Sequence, residues 1–305
     1  MKFSKIAIVM LFCLLLILAG CQNKTSTQPY FKKESSSAIK EIRGLGYIGD
    51  KGILYAASVN GIHKYQDSAW YAATRNKNDY LSFQAVSDGF YASGNSSAES
   101  KKALGIVKGK DEGRSLKTIP STEDQSFPQL GAGYNNQVLY MLSQKEGGIL
   151  YTKDKGKTWI KSKLKGLTSR QLGGMAVHPE QGSSFALYAK EGIFLSSDYG
   201  DSFTLFPTAG PVTAMIFGMD TIIYSELVED KQALHVLDLK TKSKTDLSAL
   251  PAVSANNPIL YLSIHPKNNK EIAAATYKNE IFVSKNSGKT WDKITSTKKK
   301  RNKLE

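Results

Sequence analysis

Thr152–Trp159 reads TKDKGKTW, and three other stretches repeat its plan: Ser196–Phe203 (SSDYGDSF), Ser284–Trp291 (SKNSGKTW) and, more loosely, Gly109–Leu116 (GKDEGRSL). The plan is an Asp or Asn, a glycine two positions on, a hydroxyl residue two further, then an aromatic or apolar residue. The four starts are separated by 43, 44 and 88 residues, and 88 is twice 44. So regular a spacing marks copies of one structural unit. One period before Gly109 lies His63–Tyr71 (HKYQDSAWY), a shortened turn ending at Trp70. The copy missing before Ser284 falls at Leu237–Leu247 (LDLKTKSKTDL), which still reads strand, turn, strand. Six units then fill Ile42 to Thr297.

Each unit has the same internal grammar. In the fourth, Leu172–Pro179, Phe185–Gly192, Ile193–Asp198 and Phe203–Pro207 are short β-rich runs broken by Gly, Pro, Asn and Asp. Such runs and breaks are strand and turn signals. No sustained 3.6-residue period occurs after the first twenty residues. Four short strands per unit of this length predict an all-β, six-bladed β-propeller of four-stranded blades.

The repeated stretch resembles the Asp-box, or BNR repeat, of sialidase-like propellers. The predicted role is structural: Asp111, Asp154, Asp198 and Asn286 accept hydrogen bonds from turn amides. Gly113, Gly156, Gly200 and Gly288 occupy positions of positive φ. Trp159, Phe203 and Trp291 bury an aromatic ring against the blade. Aspartates distributed around a ring cannot converge on one substrate, which argues against catalytic and metal roles for them. The fifth unit lacks the box, which predicts a soft outer hairpin near Lys240. Beyond the boxes, Ile42–Ile48, Ile53–Tyr71, Asn78–Phe83 and Phe90–Ser96 resemble the opening blades of the bacterial F510_1955-type glycosylhydrolase-like group. That resemblance implies the propeller fold and raises a glycosidase activity as one possible function.

The start of the chain reads separately. Lys2 and Lys5 precede an apolar run from Ile6 to Ala19, too short to span a bilayer comfortably and typical of an export signal over residues 1–20. Leu18-Ala19-Gly20-Cys21 resembles the bacterial lipoprotein box, which implies lipidation of Cys21 and anchoring at the extracytoplasmic face of the cell membrane. Residues 21–38 read as a flexible tether, 39–297 as the propeller and 298–305 as a basic tail. Cys13 and Cys21 are the only cysteines, so the folded part has no disulfide and no thiol chemistry. A formal charge of +14, or +12 without Lys2 and Lys5, suits anionic lipid or acidic polymers of the cell envelope better than nucleic acid.

Residue types limit the chemistry. A sialidase-like site needs three clustered arginines. Five exist; Arg114 lies in a box and Arg301 in the tail, leaving Arg43, Arg75 and Arg170. Asp79 and Asp124, each just before an inner strand, are the candidate carboxylates of any other glycosidase. Gly44–Gly49 spells G-x-G-x-x-G, but a strand follows where a dinucleotide site needs a helix. His178 and His265 are 87 residues apart, hence equivalent positions of different blades, and cannot share a metal. No cofactor and no metal are expected. A ligand is expected at the mouth where inner strands begin, with Arg43, Tyr80, Gln125, Arg170 and Gln171 as contacts and Ser93–Lys102 as a lid or partner loop. The leading reading is a monomeric, surface-anchored, non-catalytic module that binds a cell-envelope glycan, peptide or protein. The alternative is a divergent glycoside hydrolase.

Overall fold

The computed structural model describes residues 28–49, 51–97, 99–121, 124–169 and 171–295. They form six antiparallel sheets arranged as the blades of a six-bladed β-propeller. The inner strands, in order, are Ile42–Ile48, Asp79–Val86, Leu130–Ala132, Leu172–Val177, Val212–Phe217 and Ile259–His265. Each packs against the next, and the last packs against the first, so the ring closes. Every blade is one continuous stretch of chain whose second, third and outer strands follow outward by hairpins.

Burial follows from this arrangement. Strand side chains alternate between two faces, and here both faces meet a neighbouring blade. In Leu139–Ser143, Leu139 and Met141 pack toward the second blade while Tyr140 packs toward the fourth. Strands buried on both faces therefore read as unbroken apolar runs. Six buried clusters result, one in each gap between blades. None lies on the axis, and this leaves the centre of the ring open.

The Asp-box hairpins have the predicted turn. Asp154 Oδ1 accepts from Thr152 Oγ1 at 2.8 Å and from the Thr158 amide at 2.9 Å, while Oδ2 accepts from Thr158 Oγ1 at 2.7 Å. Asp198 repeats the set with Ser196 and Ser202. Asn286 keeps the amide bond from Thr290 at 2.9 Å but must donate through Nδ2 to Thr290 Oγ1, also at 2.9 Å. Gly156, Gly200 and Gly288 sit at φ of 84°, 82° and 79°, each after a second residue at positive φ. The hydrogen bonds from Thr158 hold the Asp154 carboxyl down at about 2.

Four sequence expectations are corrected. Asp111 makes no side-chain clip among the described residues; the neighbouring Glu112 instead ties the turn to the first blade, accepting from Lys64 Nζ at 2.8 Å and Tyr55 Oη at 3.1 Å. Trp159 and Trp291 are half-buried and donate their indole N–H groups outward, to Pro120 O at 2.9 Å and Ala249 O at 3.1 Å. Each therefore staples its blade to the preceding one. The turn near Lys240 is clipped after all, because Asp238 Oδ1 accepts from the amides of Lys240 at 2.9 Å and Thr241 at 2.7 Å. The stretch read as a tether is ordered before Ala38: Phe31–Glu34 adds a fifth strand outside Ala69–Ala73. Tyr30 anchors it, buried and donating to Gly113 O at 2.6 Å. Residues 1–27 with Cys21, and the tail 298–305, lie outside the described residues.

Candidate functional site

An axial cavity of about 770 Å³ runs along all six inner strands. Its lining has one origin that recurs. In five blades the register between the inner and second strands shifts near the start of the inner strand, between Ile42/Gly44, Tyr80/Ser82, Leu172/Gly174, Val212/Ala214 and Ile259/Tyr261. A bulge re-aims the extra residue. The extra residues are Arg43, Leu81, Gly173, Thr213 and Leu260, and all five line the cavity. Gln129, just before the short third inner strand, joins them.

Close packing of inner strands supports this ring. A Cβ on Gly44 would lie 2.6 Å from Phe83 Cβ, and one on Gly46 would lie 2.4 Å from Ala85 Cβ. The G-x-G spacing thus lets the first and second inner strands approach, and has no connection with a phosphate.

The lining is amphipathic and sparsely charged. Tyr188 and Tyr261 contribute phenols; burial pushes Tyr188 up to about 12. Burial also raises Tyr261, against the opposing effect of Arg43. Both therefore remain neutral hydrogen-bonding groups at ordinary pH. Gln129 Nε2 donates to Leu172 O at 2.7 Å, and its Oε1 has no partner among the described residues. Arg43 is paired with Glu41 at 2.7 Å. No described lysine lines the cavity, and Arg43, Glu180 and Asp220 are its guanidinium and carboxylate groups.

Glu180 and Asp220 lie on the turns after the inner strands of the fourth and fifth blades, at the opposite end from Arg43. His178 ties these turns together. Its Nδ1 accepts from the Glu180 amide at 3.0 Å, and its Nε2 stands 2.9 Å from Met219 O. That pattern needs the proton on Nε2. His265 occupies the matching place in the sixth blade, against Tyr47 of the first with ring centroids 5.1 Å apart. Both histidines are thus connectors between blades. Among the described residues no group of three or more His, Cys, Asp or Glu is arranged to hold a metal.

Of the described residues predicted at the mouth, only Arg43 lines the cavity. Tyr80 is wholly buried between the first and second blades, with Asn78 donating to its hydroxyl at 3.1 Å. The alternation that brings Leu81 to the axis turns Tyr80 into the core. Asp79 Oδ2 accepts from Asn95 at 3.2 Å and does not reach the axis. Asp124 is exposed in a depression beside the outer strand of the second blade. Gln125 and Gln171 lie on connections and do not line the cavity. Arg170 lies outside the described residues. The Ser93–Lys102 loop is a hairpin tip closed by the Ser96 amide on Lys102 O at 2.8 Å, away from the cavity.

Comparison with known proteins bears on the fold alone. No protein-family model matches the chain, and no curated protein does. Among solved structures, the GH74 xyloglucanase from Xanthomonas campestris is similar with a TM-score of 0.59 and 15% identity. The match covers 87% of this chain and 47% of that one, so this chain spans about half its length. An ancestral GH74 enzyme is similar with a TM-score of 0.52 and 12% identity, over 84% of this chain and 38% of that one. YCF48 bound to D1 peptide is similar with a TM-score of 0.51 and 17% identity, over 88% of this chain and 85% of that one. The chain shares with them a propeller fold.

Proposed function

We propose that this propeller binds a glycan in its axial cavity, as a non-catalytic module anchored through Cys21 at the extracytoplasmic face of the membrane. The lining of that cavity carries the reading. Phenols, amides and hydroxyls on apolar walls suit the faces and hydroxyls of sugars, and the cavity is almost free of the positive charge that dominates the rest of the chain. The clipped turns support a place among Asp-box propellers. The Leu18–Cys21 sequence supports the anchor, and Cys21→Ser tests it by releasing the protein from membranes.

The second reading is a divergent glycoside hydrolase, and one observation favours it. Glu180 and Asp220 share the cavity, and His178 fixes the turns that carry them. The fold comparisons lean the same way, since two GH74 enzymes stand among them. Asp79 and Asp124 have no part in it. Paired carboxyl groups of a glycosidase stand about 5–9.5 Å apart, one as acid and the other as nucleophile or base.

One experiment separates the readings. The chain is titrated with neutral and acetylated oligosaccharides, and new reducing ends are followed in the same samples. Binding without new reducing ends is the expected result. Reducing ends that vanish in Glu180→Gln and Asp220→Asn would establish the hydrolase, and no binding to any glycan would remove both readings.

A further inference from the structure

Lys153, Lys155, Lys157, Lys161, Lys163 and Lys165 are all exposed, and they lie along the outer hairpin of the third blade and the chain leaving it. Over the thirteen residues 153–165 these six lysines stand against a single acid, Asp154. Asp154 offsets one of these charges; its oxygens accept hydrogen bonds from Thr152 and Thr158 and form no ion pair with a lysine among the described residues. Three lysines have local partners: Lys163 pairs with Asp201, Lys161 reaches Glu146 O, and Lys153 lies 5.1 Å from the Tyr199 ring. Lys155, Lys157 and Lys165 form no ion pair among the described residues.

Lys153, Lys155 and Lys157 lie on the turn and Lys161, Lys163 and Lys165 on the short outer strand and the chain after it; residues two apart have Cα atoms no more than about 7 Å apart in any chain conformation, inside one Debye length. Like charges held that close repel one another, and a bridging anion relieves the repulsion. The stretch contains no arginine, so it offers point charges without the planar fork that selects a carboxylate or a single phosphate bidentately. It recognises charge density. The lysines follow one another along a single stripe of chain, from the turn through Ile160–Lys161 to Lys165 beside the next blade, and a segment charged along its length suits a linear anion. Ile160, 41% exposed, and half-buried Trp159 lie within the stripe and add apolar contact.

We propose that this hairpin binds a linear, flexible polyanion of the polyphosphate type, at a site separate from the axial cavity. Binding releases counterions and is steeply salt-dependent. It does not depend on the glycan reading, since none of these lysines lines the cavity.

The test uses the folded chain and long-chain inorganic polyphosphate, with affinity measured across a range of salt. The variant Lys155→Glu/Lys157→Glu/Lys165→Glu is compared with Lys240→Glu/Lys242→Glu/Lys278→Glu, which changes the net charge equally elsewhere on the ring. The expected result is at least a tenfold loss for the first variant and a salt slope shallower by about 2, with the second variant within about threefold of the parent. Equal losses in both, or a loss in neither, would overturn the assignment to this hairpin. Anionic vesicles bound more tightly than polyphosphate through the same lysines would replace the polymer with a membrane surface. Thermal melting confirms that both variants fold, and the Lys→Gln versions serve if a Glu variant does not.

Discussion

Trp70 donates its indole N–H to the carbonyl oxygen of Ile294 at 2.9 Å, joining the first blade to the sixth where the ring closes. Trp159 and Trp291 make the same contact with the end of the blade before theirs. All three tryptophans of the chain thus act as staples between successive blades, and the closing interface uses the same device as two of the other five. Among the described residues no strand is exchanged there; apolar packing, the Trp70 bond and the Ile42 amide on Asn279 Oδ1 at 2.9 Å close it.

Trp70→Phe keeps an aromatic ring and removes the donor. It is expected to lower unfolding free energy by about 1–2 kcal/mol, measured by urea denaturation. An unchanged midpoint would show that the Trp70 hydrogen bond adds nothing to the closure of the seam.

The two kinds of clip differ in their response to acid. The Asp154 carboxyl is held at about 2, below its ordinary 3.8. Its contribution is therefore fully present above pH 3.8 and is lost as pH falls through about 2. Asn286 does not titrate in this range. Hydrogen exchange between pH 4 and 2 should show the Thr152–Trp159 hairpin losing protection relative to the Ser284–Trp291 hairpin. Parallel loss in both would contradict this.

The same comparison predicts mutational tolerance. Asp154→Asn is expected to be milder than Asp154→Ala, because the Thr158 hydroxyl can turn from donor to acceptor as Thr290 does for Asn286. Melting temperatures of the two variants decide the order.

Gly46→Ala places a methyl group 2.4 Å from Ala85 Cβ, a backbone-fixed atom with no rotamer to yield. The first and second inner strands must separate, at a cost of about 1–3 kcal/mol. Gly147, with no neighbour within 4 Å of such a methyl but at φ 62°, offers a contrast in which only the turn conformation is strained. A Gly46→Ala protein with unaltered stability would show that the inner strands are not held at this spacing.

The blade count was legible in the sequence because each box repeats a hydrogen-bonding task that only certain residue types perform. The site was much less so. Sequence places residues on strands, but a one-residue bulge decides which of two neighbours turns to the axis. Tyr80 and Leu81 exchange places on that account, and Thr213, Leu260 and Gln129 carry no type signal that marks them as lining. Aligning the starts of the inner strands would have found the recurring position that Arg43 shares with Leu81, Gly173, Thr213 and Leu260. Asp238 escaped notice because its clip captures amides two and three residues on without the box's glycine.

The axial cavity as ligand site is tested most directly by a structure of the chain with the tightest-binding oligosaccharide. Sugar density is expected along the axis, against Tyr188 and Tyr261 and within hydrogen-bond reach of Gln129, with affinity lost in Tyr261→Ala. Sugar bound only on the outer circumference, with an empty axis and an unaffected Tyr261→Ala variant, would contradict it.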